Sequence, residues 1–84
     1  MNTLRKALNH IKDIEATFFY FELLARQEKA KGQFTFTVKE MIDELYLTYA
    51  KQQRCIRLLV RLNLIEVKIL GIPKTQFFRV FALP

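Results

Sequence analysis

Residues 48–62, TYAKQQRCIRLLVRL, decide the fold, because they predict an amphipathic helix with one apolar and one basic side. At about 100° per residue, one broad arc holds the apolar residues Cys55, Ile56, Leu58, Leu59 and Leu62, with Val60 at its edge. The opposite arc holds Lys51, Arg54, Arg57 and Arg61, and no acidic residue interrupts it. Thr48 is placed to cap the first amides, and Asn63 is placed to end the helix in the left-handed conformation. We therefore expect the apolar arc to face a core and the basic arc to face solvent.

Length and composition predict a single domain, residues 1–84, with a modest core. Hydrophobic residues make up 51% of the chain, and 8 Phe and 3 Tyr supply large side chains, which favours a packed globule over a disordered tail. A single cysteine, Cys55, cannot form an internal disulfide. We expect it to be a small buried side chain in a reducing compartment.

The residue inventory argues against catalysis. One histidine, His10, and one cysteine provide neither a metal-binding cluster nor a nucleophile pair, so we expect no metal, no cofactor and no enzyme activity. The acids Glu40, Asp43 and Glu44 have no apolar surroundings that would raise a pKa, so they are interpreted as solvated or capping groups. No set of polar residues indicates a small-molecule ligand.

The sequence gives no membrane or export signal. Its strongest apolar run, residues 16–21, is far too short to span a bilayer. The first segment, MNTLRKALNHIKD, lacks the apolar centre and the cleavage site of a secretory leader. The chain is therefore predicted to be cytoplasmic and not to bind a membrane.

The net charge of +6 is concentrated in the basic helix, because residues 49–63 hold four basic residues and no acidic one. A focused basic stripe attracts polyanions more strongly than dispersed charge, and nucleic acid is the commonest polyanion in a cytosol. An anionic membrane surface is less favoured, because the apolar face that it would need is required for the core.

The N-terminal third predicts one long helix, capped by Thr3 and ending at Lys31 before Gly32. Its apolar stripe contains Leu4, Ala7, Leu8, Ile11, Ile14, Phe18, Phe21 and Ala25. Such a helix would be roughly 40 Å long, which is more than this domain needs along one edge. Either Asp13 restarts the helix, or residues 1–13 project as a dimerisation extension.

This helix also has apolar residues on two sides. Phe19 and Leu23 lie opposite Phe18 and Phe21 on the helical wheel. Both sides could be buried within the domain, but a chain of this size has few elements to cover them, so self-association is favoured. The predicted dimer interface consists of Leu4, Leu8, Ile11, Phe19 and Leu23.

The rest of the chain alternates short elements. Residues 34–36 predict a brief strand, and Thr37 with Glu40 has the form of a capping box at the start of a second, short helix. A three-residue turn, 46–48, joins that helix to the basic one, as in a helix-turn-helix. Residues 64–70 and 76–82 alternate in polarity around turn-forming residues 71–75, which predicts a β-hairpin.

This order of elements resembles the winged helix-turn-helix domain of DNA-binding regulators. The segment RLLVRLNLIEV, residues 57–67, is similar to the end of a recognition helix that runs into the first wing strand, with Asn63 where many relatives have Gly. The resemblance covers about residues 14–83. It implies an α+β fold, mostly α, with a long N-terminal helix and a C-terminal hairpin wing.

The resemblance also implies which residues meet DNA. The recognition helix, about 49–62, would enter the major groove, and the wing, 64–82, would touch the backbone. Arg54 and Gln53 would read guanine and adenine, because their side chains make bidentate pairs with those bases. The implied DNA-binding set is Thr48, Tyr49, Lys51, Gln53, Arg54, Arg57, Arg61 and Lys74.

The expected function is sequence-specific binding of double-stranded DNA by a small homodimeric transcriptional regulator. A dimer would place two recognition helices about one DNA turn apart on a palindromic site. The alternative is a winged helix that serves as a protein-protein interaction module through its Phe-rich surface and does not bind DNA. The acidic second helix favours this alternative, since that helix commonly borders the DNA backbone.

Overall fold

A computed structural model describes residues 2–84, and it has the predicted α+β class with mostly helical content. In chain order the elements are α1 (Asn2–Ile11), α2 (Ile14–Ala30), β1 (Phe34–Thr35), α3 (Val38–Leu45), α4 (Tyr49–Arg61), β2 (Ile65–Leu70) and β3 (Thr75–Val80). The strands form one antiparallel sheet in the order β1-β3-β2. The fold therefore places the α3–α4 pair between a short strand and a hairpin that pair with each other.

The N-terminal third forms two helices rather than one. Lys12 adopts the left-handed conformation with φ 58°, and Asp13 is extended and caps α2 by accepting a hydrogen bond from the Ala16 amide at 2.8 Å. The alternative in which Asp13 restarts the helix is thus confirmed. The predicted cap at Thr3 is wrong, because Thr3 already lies inside α1. The predicted end, at Lys31 before Gly32, is one residue late: α2 ends at Ala30, and Lys31 caps it in the left-handed conformation with φ 60°.

Helix α1 packs back on α2 instead of projecting from the domain. Ala7 and Ile11 of α1 are buried in the main core, at 0% and 3% exposure. The sharp turn at Lys12 and Asp13 makes this packing possible, because it reverses the chain between the two helices. Residues 2–13 are therefore part of the domain, and the prediction that they extend beyond it is wrong.

The core-facing side of α2 is the side that was predicted to mediate dimerisation. Phe19 and Leu23 are 1% and 0% exposed, because α2 packs against α4, β1 and β3 on this side. Their assignment to a dimer interface is wrong, and so is that of the buried Ile11. The opposite side of α2 presents Ile14 and Phe18 to solvent, at 67% and 60% exposure.

Polar side chains fasten α2 to the last strand. The Gln27 side-chain amide donates to the Val80 carbonyl at 2.8 Å and accepts from the Val80 amide at 2.6 Å. The Tyr20 hydroxyl donates to the Phe81 carbonyl at 2.6 Å, and burial raises the pKa of this hydroxyl. These bonds satisfy backbone groups of Val80 and Phe81, which lie beyond the part of β3 that pairs with β1.

The α3–α4 pair is built as predicted. The Thr37 hydroxyl accepts from the Glu40 amide at 3.0 Å while the Glu40 carboxylate accepts from the Thr37 amide at 2.9 Å, which completes the capping box. Tyr46 ends α3 in the left-handed conformation, and the Thr48 hydroxyl caps α4 by accepting from the Lys51 amide. Two tight caps thus fix the angle between the helices.

A buried glutamine stabilises the turn between α3 and α4 through hydrogen bonds. Gln52 is 0% exposed, and its side-chain amide donates to the carbonyls of Leu47 at 2.9 Å and Val38 at 3.2 Å. These carbonyls belong to the turn and to the start of α3. A single side chain of α4 is therefore hydrogen-bonded both to the start of α3 and to the turn that follows α3.

The predicted hairpin is confirmed, with slightly different limits. Asn63 has φ 59°, as expected for the residue that ends the helix region, and Ile65 of β2 pairs with Val80 of β3. Phe78 is fully buried and stacks on Phe34 of β1 with the ring centroids 5.9 Å apart. Exposure increases toward the turn at residues 71–74, so the far end of the hairpin extends beyond the core.

Candidate nucleic-acid interface

Helix α4 separates its apolar and basic residues as the sequence predicts. Cys55, Ile56 and Leu59 are buried against the core. On the opposite side the four basic residues are exposed: Lys51, Arg54, Arg57 and Arg61. No acidic residue lies within α4, so every charged side chain that this helix itself presents to solvent is basic.

Arg54 is not free on this surface. Its guanidinium binds the carboxylate of Asp13 and donates to the carboxylate of Glu15 at 2.5 Å. Lys51 also approaches Glu15, at 3.7 Å. The Arg54 hydrogen bond, followed by that of the Ala16 amide, holds the pKa of Asp13 below its usual range, and the two carboxylates raise the pKa of Arg54. The best sequence candidate for reading a guanine is therefore engaged within the protein.

The sequence reasoning missed these two acids. Asp13 is the N-cap of α2 and Glu15 lies in its first turn, positions where acids are common because they complement the helix dipole. Their contact with Arg54 spans about 40 positions in the chain (|i−j| = 41 and 39), and no local pattern reveals such a pair. The only signal of these ion pairs in the sequence was the presence of two acids, Asp13 and Glu15, at the start of an apolar helix.

Arg57 and Arg61 remain available for a ligand. Both are exposed, and neither lies within 4.0 Å of an acidic side chain anywhere in residues 2–84. Tyr49 is 59% exposed at the start of α4, and Gln53 is half-buried one turn later. These side chains form a continuous surface on α4 that has hydrogen-bond donors and two unpaired positive charges.

The remaining predicted residues contribute less. The Thr48 hydroxyl is used for the helix cap, although a hydroxyl that accepts one bond can still donate another. Lys74 is exposed on the turn between β2 and β3 and is the only charged residue there. That turn also exposes apolar Ile72, with Leu70 just before it. A hairpin end of this composition suits a weak phosphate contact better than base recognition.

The acids of α3 are structural or solvated, as interpreted from the sequence. Glu40 completes the capping box, and Glu44 pairs with Arg26 at 3.0 Å. The Arg26 guanidinium also lies over the Phe36 ring, 4.1 Å from its centroid. These contacts tie α3 to α2 and keep one acid at the edge of an apolar surface.

That apolar surface is a groove of about 610 Å³ between α2, α3 and the turn after α3. Its exposed apolar residues are Ile14, Phe18 and Tyr46, and Glu22 and Glu44 lie at its rim. Exposed apolar patches of this kind are typical of protein-binding surfaces. The sequence predicts two apolar sides of α2, but the predicted dimer interface was placed on the side that is buried.

No other chemistry is evident in the part of the chain that is described. Burial raises the pKa of the Cys55 thiol to about 11, so this cysteine is an unreactive core residue rather than a nucleophile. Within residues 2–84 no group of three His, Cys, Asp or Glu side chains is arranged to hold a metal ion. Over the same residues, none of the helices has the length and apolarity needed to cross a bilayer.

Comparison of this chain with protein-family models, with curated proteins and with solved structures finds no match. The function of this chain is therefore inferred from the geometry of the site itself.

Proposed function

We propose that this chain is a winged helix-turn-helix protein that binds double-stranded DNA through α4. The observation that carries the proposal is the exposed side of α4, which has no acidic residue of its own, leaves Arg57 and Arg61 without an acidic partner among residues 2–84, and is held facing outward by the α3–α4 turn and the core. The strand order β1-β3-β2, with α3 and α4 inserted between β1 and the hairpin, is compatible with a wing formed by β2 and β3. The protein supplies binding and orientation, and no chemical step is involved.

In this proposal the outward surface of α4 lies in the major groove. Gln53 and Tyr49 lie toward its N-terminal end, where base edges would be reached, and Arg57 and Arg61 contact phosphates. Arg54 contacts DNA only if its bonds to Asp13 and Glu15 are exchanged for bonds to the nucleic acid. The roles of Lys51, Thr48 and Lys74 are supporting phosphate contacts.

The proposal includes a homodimer that acts as a cytoplasmic transcriptional regulator, with the pairing surface moved to the exposed side of α2. Ile14 and Phe18 are the apolar residues there that the domain leaves uncovered. A two-fold dimer is the commonest way in which a small protein covers such a surface and doubles its DNA contact. Phe18→Ser should then convert a dimer to a monomer in sedimentation velocity, and a wild-type monomer at high concentration would remove this part of the proposal.

The experiment that tests DNA binding is an anisotropy titration of labelled random-sequence duplex at low salt. Arg57→Ala and Arg61→Ala should each weaken binding, because each removes one phosphate contact. Lys29→Ala is the matched control, since Lys29 is exposed at the far end of α2, roughly 20 Å from Ile14. Equal affinities for all four proteins would contradict the proposal.

A second candidate function is protein-protein interaction without DNA binding. The acidic rim of the apolar groove, Glu22 and Glu44, favours a partner with basic and apolar residues rather than a second identical rim. This candidate predicts that Phe18→Ser abolishes complex formation while Arg57→Ala has no effect. Salt-sensitive binding to random-sequence duplex would contradict this candidate, because the candidate assumes that the protein does not bind DNA.

A further inference from the structure

A second groove lies between the end of α1 and the outer flank of α4. It has a volume of about 760 Å³, which is within the range of binding sites for small ligands. Its walls include His10 and Lys12 from the first side and Arg57 and Arg61 from the second. The turn at Lys12 thus brings a second set of basic residues beside the basic helix.

The groove is lined by more positive than negative charge. Asp13 is the only acid that lines it, and Asp13 is already bound to Arg54. Lys12, Arg57 and Arg61 make no ion pair with any acidic side chain of residues 2–84. Helix α1 contains no acidic residue either. Cations gathered without a counter-charge attract an anion from solution.

The amides of the α2 N-terminus do not provide this attraction. The Asp13 side chain occupies that end by accepting from the Ala16 amide at 2.8 Å. The groove therefore depends on side-chain cations, which suits phosphate groups that remain partly solvated. It has apolar walls from Ile11, Leu58 and Leu62, and no Phe, Tyr or Trp lines it.

We infer that this groove binds the phosphate backbone of the duplex that α4 contacts, with His10 and Lys12 as additional backbone-binding residues. The inference rests on the proposed function and extends its footprint. Arg57 and Arg61 belong both to the α4 surface and to the groove, so a backbone held by them passes directly over the α1–α2 turn. Arg54, by pairing with Asp13 and Glu15, neutralises the two carboxylates that would otherwise repel that backbone.

The test is the salt dependence of binding to random-sequence duplex for wild type and for Lys12→Asn. Asn removes the charge and tolerates the left-handed conformation that residue 12 adopts. The slope of log affinity against log salt should become shallower by about 0.9, and affinity near 0.1 M salt should fall roughly three- to tenfold. Lys12→Arg keeps the charge, so it should have the wild-type slope and the wild-type affinity. Lys29→Asn, at the far end of α2, should change neither quantity.

The outcomes separate the inference from the function on which it rests. If wild type binds duplex and Lys12→Asn behaves like Lys29→Asn, the groove is not a backbone site, although α4 still is. If wild type does not bind duplex even at low salt, both ideas fail. If millimolar inorganic phosphate shifts the NMR signals of His10 and Lys12 but duplex does not, the groove binds free phosphate and the inference is overturned.

Discussion

The guanidinium of Arg54 in α4 lies 2.5 Å from the carboxylate of Glu15 in α2, and it binds Asp13 as well. This contact joins the basic helix to the start of the longest helix of the domain. It occupies Arg54 and leaves Arg57 and Arg61 as the cations of α4 without an acidic partner among residues 2–84. Arg54 is therefore assigned a mainly structural role, in contrast to the base-reading role expected from its position in the sequence.

Arg54→Ala and Arg57→Ala should have opposite effects: the first mainly on stability, the second mainly on duplex binding. Arg54→Ala removes bonds within the protein, so it should lower the melting temperature and weaken duplex binding less than Arg57→Ala does. Arg57→Ala should leave the melting temperature unchanged within about a degree, because an exposed side chain without a partner contributes little to folding. Differential scanning calorimetry and anisotropy titrations on the same preparations would check both. A larger binding loss for Arg54→Ala would return it to the base-reading role.

Asp13 should make stability depend on pH in the acid range. Its pKa in the folded protein is below the ordinary value of 3.8 because Arg54 and the Ala16 amide stabilise the carboxylate. The unfolded chain therefore binds the proton more readily, so the stabilisation is fully present above pH 3.8 and is lost as the pH falls below that value. The free energy of unfolding should fall between pH 5 and pH 2.

Asp13→Asn is the matched variant, because Asn keeps the helix cap and removes the titrating group. Its unfolding free energy should decline less between pH 5 and pH 2 than that of wild type, as measured by urea denaturation. Equal declines would show that Asp13 does not contribute to the acid sensitivity. In Arg54→Ala, the pKa of Asp13 followed by carboxyl NMR should rise.

Gln52 should be essential to the α3–α4 turn. Gln52→Leu keeps the size of the side chain but leaves the buried carbonyl of Leu47 and the partly buried carbonyl of Val38 without this donor. The expected loss in unfolding free energy is about 1–3 kcal/mol. Gln53→Leu, one position along the same helix and half-buried, should change it by less than about 0.5 kcal/mol. Similar values for the two variants in urea denaturation would contradict this role.

The two sides of α2 should respond differently to truncation. Phe19→Ala empties a fully packed site and should cost about 3–5 kcal/mol of unfolding free energy. Phe18→Ala, at a neighbouring but exposed position, should cost less than about 1 kcal/mol in the monomer. Chemical denaturation at low protein concentration separates these values from any effect of self-association. A large cost at Phe18 alone would mean that the described burial is reversed.

Local patterns predicted most of the elements. The capping box at Thr37 and Glu40, the left-handed Asn63 and the two-sided α4 all depend on residues within one or two turns of each other, so the sequence carries their signal. The side of α2 that faces the core could not be predicted in the same way. Apolar residues occur all round that helix, and the choice is made by α4 and β3, which follow much later in the chain.

The site was predictable only in part for the same reason. Exposure of the basic residues follows from the periodicity of α4 itself. Whether a given residue is free or paired depends on distant elements: Arg54 pairs with acids about 40 positions away, and Lys12 reaches α4 only because the chain reverses at Asp13. Periodicity defines a surface, but tertiary packing decides which of its charges remain available.

The most direct test of the central claim is a titration of ¹⁵N-labelled protein with a random-sequence duplex, followed by amide NMR. If α4 is the DNA-binding element, the largest shifts should occur in Tyr49–Arg61, and the amides around the Phe18 groove should stay unchanged. Shifts confined to that groove, or no shifts at low salt, would contradict the claim that α4 binds DNA.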